Sequence, residues 1–193
     1  MARLDAAGLT LAVPLPDGAE AVAPPDVDMA VAPGFSLVHA AAWRGPDVEL
    51  KAVCVAGDAW FWAPGLEAPL LDAASALVRK TLGLGTITPG AIRRGPPFEQ
   101  NYSSHLLKGR HWVGFRGDQM VVCSLGCEGD EVPCEALRDA AAMTSEPAPE
   151  PGVVLSAMTT AAAHPQASAL TMSLAAVAVA AAILWRRPRP EVS

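Results

Sequence analysis

Three cysteines crowd one stretch of the chain, Cys123, Cys127 and Cys134 within CSLGCEGDEVPC; Cys54 makes a fourth, and His105 and His111 stand not far before them. Sulfur and imidazole are ligands that zinc favours, but a zinc knuckle usually supplies its cysteines as CxxC pairs. Here the spacings are CxxxC and Cx6C, and strand alternation puts Cys123 on the face of Val121 and Leu125, so no metal centre is expected. Cys54 and Cys123 read as small buried apolar side chains. Cys127 and Cys134, at the end of a strand and the start of a helix, carry two readings. They bridge a six-residue loop in an oxidising compartment, or they serve as the thiol or metal pair of a membrane-bound enzyme.

Other chemistry is sparse. Ser103, Ser104 and His105 are adjacent, yet successive residues of a strand point to opposite faces, so adjacency alone makes no nucleophile and base. Gly83 and Gly85 are followed by Thr88, which breaks a dinucleotide fingerprint, and P-loop, HExxH and GxSxG patterns are missing. No catalytic residue and no cofactor are expected. Asn101-Tyr102-Ser103 fits a glycosylation acceptor, which would be idle in a cytoplasmic domain. Trp60, Phe61 and Trp62 are three large aromatics in a row: they cap the open end of the core, the reading we favour, or they form an exposed binding or membrane-interface patch.

The elements that must position these residues follow from periodicity. Leu9 to Val13 alternates and runs into PLPDG, whose turn chemistry predicts a small hairpin with Ala19 to Ala23, and Asp26 to Ala32 reads as loop or edge strand. Phe35 to Trp43 and Val48 to Ala56 predict a second hairpin, with Val48, Leu50, Ala52 and Cys54 facing the core. Glu67 to Leu82 carries a helical stripe of Leu70, Leu71, Ala74, Leu77, Val78 and Leu82, with acids early, Arg79 and Lys80 late, and Gly83 as a stop. Gly85 to Ile92 is turn-rich, and Pro96-Pro97 excludes regular structure. Phe98 to Leu107, His111 to Arg116 and Gln119 to Leu125 predict three strands, joined by Lys108-Gly109-Arg110 and Gly117-Asp118. Asp130 to Met143 predicts an amphipathic closing helix with Pro133 in its first turn.

The 193 residues thus divide into an α+β domain over 1–143, a Pro/Ala-rich linker over 144–166, a transmembrane helix over 167–185 and a short basic tail over 186–193. Ala167 to Trp185 is nineteen residues without a charge, about 28 Å as a helix and close to the thickness of a bilayer core. Its expected partner is the lipid bilayer, with a protein partner at the membrane. A linker of this length reaches roughly 25 Å as a coil. Hydrophobic content of 51% and mean hydropathy of +0.28 are high for a soluble chain and are raised by Ala and by the apolar stretch; the first 140 residues do not read as disordered. Residues 1–166 carry eleven Lys and Arg against nineteen Asp and Glu, a charge of −8 that gives no footprint for nucleic acid.

Sidedness is read two ways. MARLDAAGLTLAVPLPDG holds no uninterrupted apolar run before Pro14 and Pro16, so it is no signal peptide, and the domain is expected in the cytoplasm as a tail-anchored, single-pass protein. The positive-inside rule opposes this, since 144–166 has no Lys or Arg whereas Arg186, Arg187 and Arg189 follow the span.

The order of elements, a PLPDG turn, paired strands, a helix, a meander ending in VVCSLGC and a last helix at PCEALRDA, resembles the PsbP-like fold over about residues 5–143. That fold is shared by the oxygen-evolving extrinsic protein and the nuclear import factor that binds the Ran GTPase. The resemblance implies a central antiparallel β-sheet flanked by helices, and a domain that binds partners without catalysing a reaction. The expectation is therefore a non-catalytic binding or adaptor domain, with the Cys127 and Cys134 enzyme as its alternative.

Overall fold

The computed structural model describes residues 1–31, 34–59, 62–82, 84 and 86–150. Strands β1 (Ala2–Ala6) and β2 (Leu9–Val13) form an antiparallel hairpin closed by Ala7 and Gly8, both at positive φ, 53° and 80°. Two left-handed residues give the turn whose twist matches its strands. β10 (Ala142–Met143) takes the other side of β2. With both edges of β2 occupied, PLPDG cannot close the hairpin expected of it. The turn carries the chain out of this three-stranded sheet, and β3 (Glu20–Val22) pairs with β4 (Phe35–Arg44) instead.

The second sheet is antiparallel, in the order β3-β4-β5-β9-β8-β7-β6. β4 and β5 (Val48–Asp58) form the predicted hairpin, and β8 (Leu107–Arg116) turns at Gly117-Asp118 into β9 (Gln119–Gly129) as expected. β5 and β9 make the centre, paired over eleven residues each. Both of their faces are buried, which is why they read as nearly continuous apolar runs. Val48, Leu50, Ala52, Cys54, Val121, Cys123, Leu125 and Cys127 pack under the small sheet and α2 (Glu131–Ala140). Val53, Val55, Met120 and Val122 pack on the opposite side under α1 (Glu67–Thr81), through its Leu71, Ala74 and Leu77.

Two corrections concern the far edge. The stretch Gly85 to Ile92, expected as turn-rich, holds most of strand β6 (Thr88–Arg93), which among the described residues pairs only with β7 (Phe98–Ser103) and is almost wholly exposed. An edge position tolerates Pro89, because a proline there interrupts the ladder to at most one neighbouring strand. The chain turns from β7 to β8 at 104–106, not at Lys108-Gly109-Arg110. Gly109 lies inside β8 because a Cβ there would collide with the Tyr102 ring and the Leu125 carbonyl.

At the other edge β3 covers only Ala42–Arg44, and among the described residues no strand pairs with the outer side of Ser36–Ala41. A register shift between Leu37 and His39 bulges the strand there, a device that discourages edge pairing. The packed chain continues past Met143. Phe115 N–H donates to Ser145 Oγ at 2.9 Å, Gly117 N–H donates to Glu146 Oε2 at 2.9 Å, and Ala148 rests on the α1-side core. Among the described residues no helix is long and apolar enough to cross a membrane; the expected span over 167–185 lies outside them.

Candidate functional site

The chemically richest cluster forms where α1 crosses β8 and β9. Strand alternation sends His111 to the α1 side, together with Val113 and Phe115. Its Nδ1 lies 2.8 Å from Ser124 Oγ and its Nε2 3.0 Å from Ser75 Oγ on α1. The Tyr102 ring stacks on the imidazole, with centroids 4.1 Å apart and planes 17° from parallel. Tyr102 Oη donates to the Leu125 carbonyl at 3.1 Å, and burial pushes the phenol pKa up. Burial also pushes the His111 pKa down, to about 3. Each hydroxyl can donate or accept, so a neutral imidazole is satisfied on both nitrogens.

Hydroxyl, imidazole and hydroxyl in a row resemble a nucleophile, its base and an orienting group, but the setting does not permit that work. His111 is fully buried, and the adjoining cavity, lined by Lys51, Val53, Leu77, Thr81, Tyr102 and Ser124 among others, holds about 10 Å³. No organic substrate fits there, and an imidazole with so low a pKa is a poor base near neutrality. The cluster is a satisfied core network joining α1 to the sheet.

On the opposite face Arg110, 9% exposed, forms a clamp between sheet and helix. Its Nε donates to Asn101 Oδ1 at 2.6 Å and its Nη2 to Asp139 Oδ1 of α2 at 2.7 Å, while Glu99 Oε2 lies 3.7 Å from Nη1. Arg138 donates to both carboxylate oxygens of Asp139, at 2.9 and 3.1 Å, and this hydrogen bonding leads in holding that pKa below the usual range. Asn101, the sequon asparagine, is thus engaged through its side chain.

The surface depressions are similarly self-satisfied. A shallow groove of about 360 Å³ runs along the β4–β5 turn and the end of β9. Within it Lys51 Nζ reaches Glu49 at 2.9 Å and Glu128 at 3.2 Å, and Arg44 reaches Glu49 at 2.8 Å. Burial works against the Lys51 charge, but the two carboxylates overcome it and raise its pKa.

The cysteines form two disulfides, Cys54–Cys123 and Cys127–Cys134. The expectation that Cys54 and Cys123 are free buried thiols is corrected: they stand opposite each other on β5 and β9, on one face, with Cα atoms 4.1 Å apart. Cys127–Cys134 ties the end of β9 to the first turn of α2. His111 faces away from all four, His105 is exposed in the β7–β8 turn, and among the described residues no group of three metal-ligating side chains converges.

Of the two readings of the aromatic run, Trp62 takes the core one. Trp62 is 3% exposed and packs on Phe98 and Phe115 at 5.2 and 4.8 Å between ring centroids, so it belongs to the core and not to an exposed surface. Trp60 and Phe61 lie outside the described residues. Ser75 and Ser124 went unremarked in the sequence. A serine beside the buried Leu71–Ala74–Val78 stripe was the available signal, and its partner sits 36 residues away. No family model, curated protein or solved structure matches this chain.

Proposed function

We propose that the chain is a membrane-tethered, non-catalytic binding module, held by Ala167 to Trp185 and engaging a protein partner through the surface of its folded domain. The observation that carries the non-catalytic part is the closure of His111: both ring nitrogens are taken by hydroxyls, one face by Tyr102, and the cavity beside Ser124 and Tyr102 holds only about 10 Å³. The membrane part rests on the charge-free stretch and the arginines after it. The PsbP-like resemblance belongs to the same proposal, because its members mostly bind partners. Tethering raises the effective concentration of such a module toward anything resident in the same membrane. The alternative, a thiol or metal enzyme built on Cys127 and Cys134, loses support because both sulfurs are bonded to each other and about 1% exposed.

Fractionation tests the proposal. Full-length protein should stay with membranes through carbonate extraction, and a chain ending at Gln166 should be released; extraction of the full-length form would end the membrane reading. Cross-linking in intact membranes should then give an adduct that the truncated chain does not form at equal concentration. Adducts independent of the span would argue that tethering is not part of the function.

A further inference from the structure

We infer that the domain folds on the oxidising side of its membrane, leaving Arg186, Arg187 and Arg189 on the reducing side. This rests on the span proposed above and reverses the placement expected from the N-terminal residues. Two independent observations carry it. The first is that all four cysteines of the chain are consumed in disulfides, and none sits at the surface: Cys54 and Cys123 are 0% exposed, Cys127 and Cys134 1%. Bonds buried among Leu50, Trp112, Val121 and Leu125 close during folding and are not later surface oxidations. Disulfides of this kind persist where no thiol pool reverses them. The second is charge. Residues 144–166 carry Glu146 and Glu150 and no Lys or Arg, whereas three arginines follow the span within four residues. The positive-inside rule assigns that tail to the cytoplasmic side and the domain to the other.

Each bond forms by exchange with an oxidised dithiol protein of that compartment. One cysteine thiolate attacks the donor's disulfide to give a mixed disulfide and a donor thiolate. The second cysteine thiolate then displaces the donor, which leaves as a dithiol carrying two electrons, while the two cysteines lose two protons. Two donor disulfides complete the domain.

The test uses the full-length chain in cells. Thiols are blocked by acid quench and N-ethylmaleimide, the protein is denatured, and a maleimide-linked polymer is added before or after reduction. The expected result is no adduct before reduction and four after it. Fewer than four adducts after reduction overturn the inference, since any thiol free in the cell has already been capped by N-ethylmaleimide. In parallel, cells stripped to the bounding membrane are treated with protease. Loss of the domain with protection of an epitope at Ser193 supports the stated sidedness; a protected domain overturns it even with both disulfides formed. Release of the oxidised protein by carbonate removes the span, and so marks a failure of the tethering proposal separately from the thiol count.

Discussion

Neutral His111 holds a hydroxyl on each ring nitrogen, and burial away from water opposes the charge that a second ring proton would bring. In the unfolded chain the same imidazole titrates near 6.5, whereas in the folded domain burial holds it to about 3. Between those values the unfolded state binds a proton that the folded state does not, so stability falls as pH falls, by about 1.4 kcal/mol per unit when the difference is complete. Carboxylates held low by their partners, Glu49 and Asp139 among them, lose their contributions only at more acid pH, so His111 dominates above about pH 4.5. Urea unfolding from about pH 7 to about pH 4.5 should show this slope, and His111→Gln should flatten it. A slope that survives the substitution belongs to another group. Trp62 makes a second residue-scale prediction. Replacing it with Ala should remove about 3–5 kcal/mol of stability, because the space between Phe98 and Phe115 cannot refill. An unchanged denaturation midpoint would return Trp62 to the surface.

Helix α2 is attached to the large sheet by a covalent bond at its start and an ionic clamp near its end, Cys127–Cys134 and Arg110–Asp139. Asp139→Ala leaves Arg110 nearly buried with only Asn101 and the more distant Glu99, and should cost about 1–3 kcal/mol. Hydrogen exchange should accelerate in the last turns of α2 while β5 and β9 keep their protection; unchanged exchange in α2 would mean that the disulfide alone holds it. The elements that carried strong periodicity were legible: the β4–β5 hairpin, α1, and the β8–β9 hairpin across Gly117-Asp118. Strand β1 was not, because Arg3 and Asp5 leave only Leu4 and Ala6 to face the core, and Ala7-Gly8 is an unusual pair for its turn. β6 was hidden by Pro89-Gly90, which signal a turn anywhere except at a sheet edge. Neither the His111 network nor the Arg110 clamp was visible, since Ser124 and Asn101 meet them only through strand register, and Ser75 and Asp139 only after a helix has docked.

Across the whole molecule the two disulfides close loops of very different size, with sequence separations of 69 and 7. If they act mainly by limiting the unfolded chain, removing Cys54–Cys123 should cost about 4 kcal/mol and removing Cys127–Cys134 about 2 kcal/mol. Paired Cys→Ala variants compared by denaturant unfolding would test that order, and a larger loss from the small loop would show that native contacts of α2 dominate. The long loop also bears on how the domain responds to load. Under the tethered-module proposal a partner would pull the domain along its chain, and the bond between β5 and β9 keeps everything from Cys54 to Cys123 out of the force path. In a single-molecule stretching experiment the chain with Cys54–Cys123 intact should unfold about 230 Å shorter than a variant lacking that bond alone, near 3.4 Å for each sequestered residue. The Cys54–Cys123 staple would then act as a strain limiter, fixing how far a partner can be drawn from the membrane before the tether is taut.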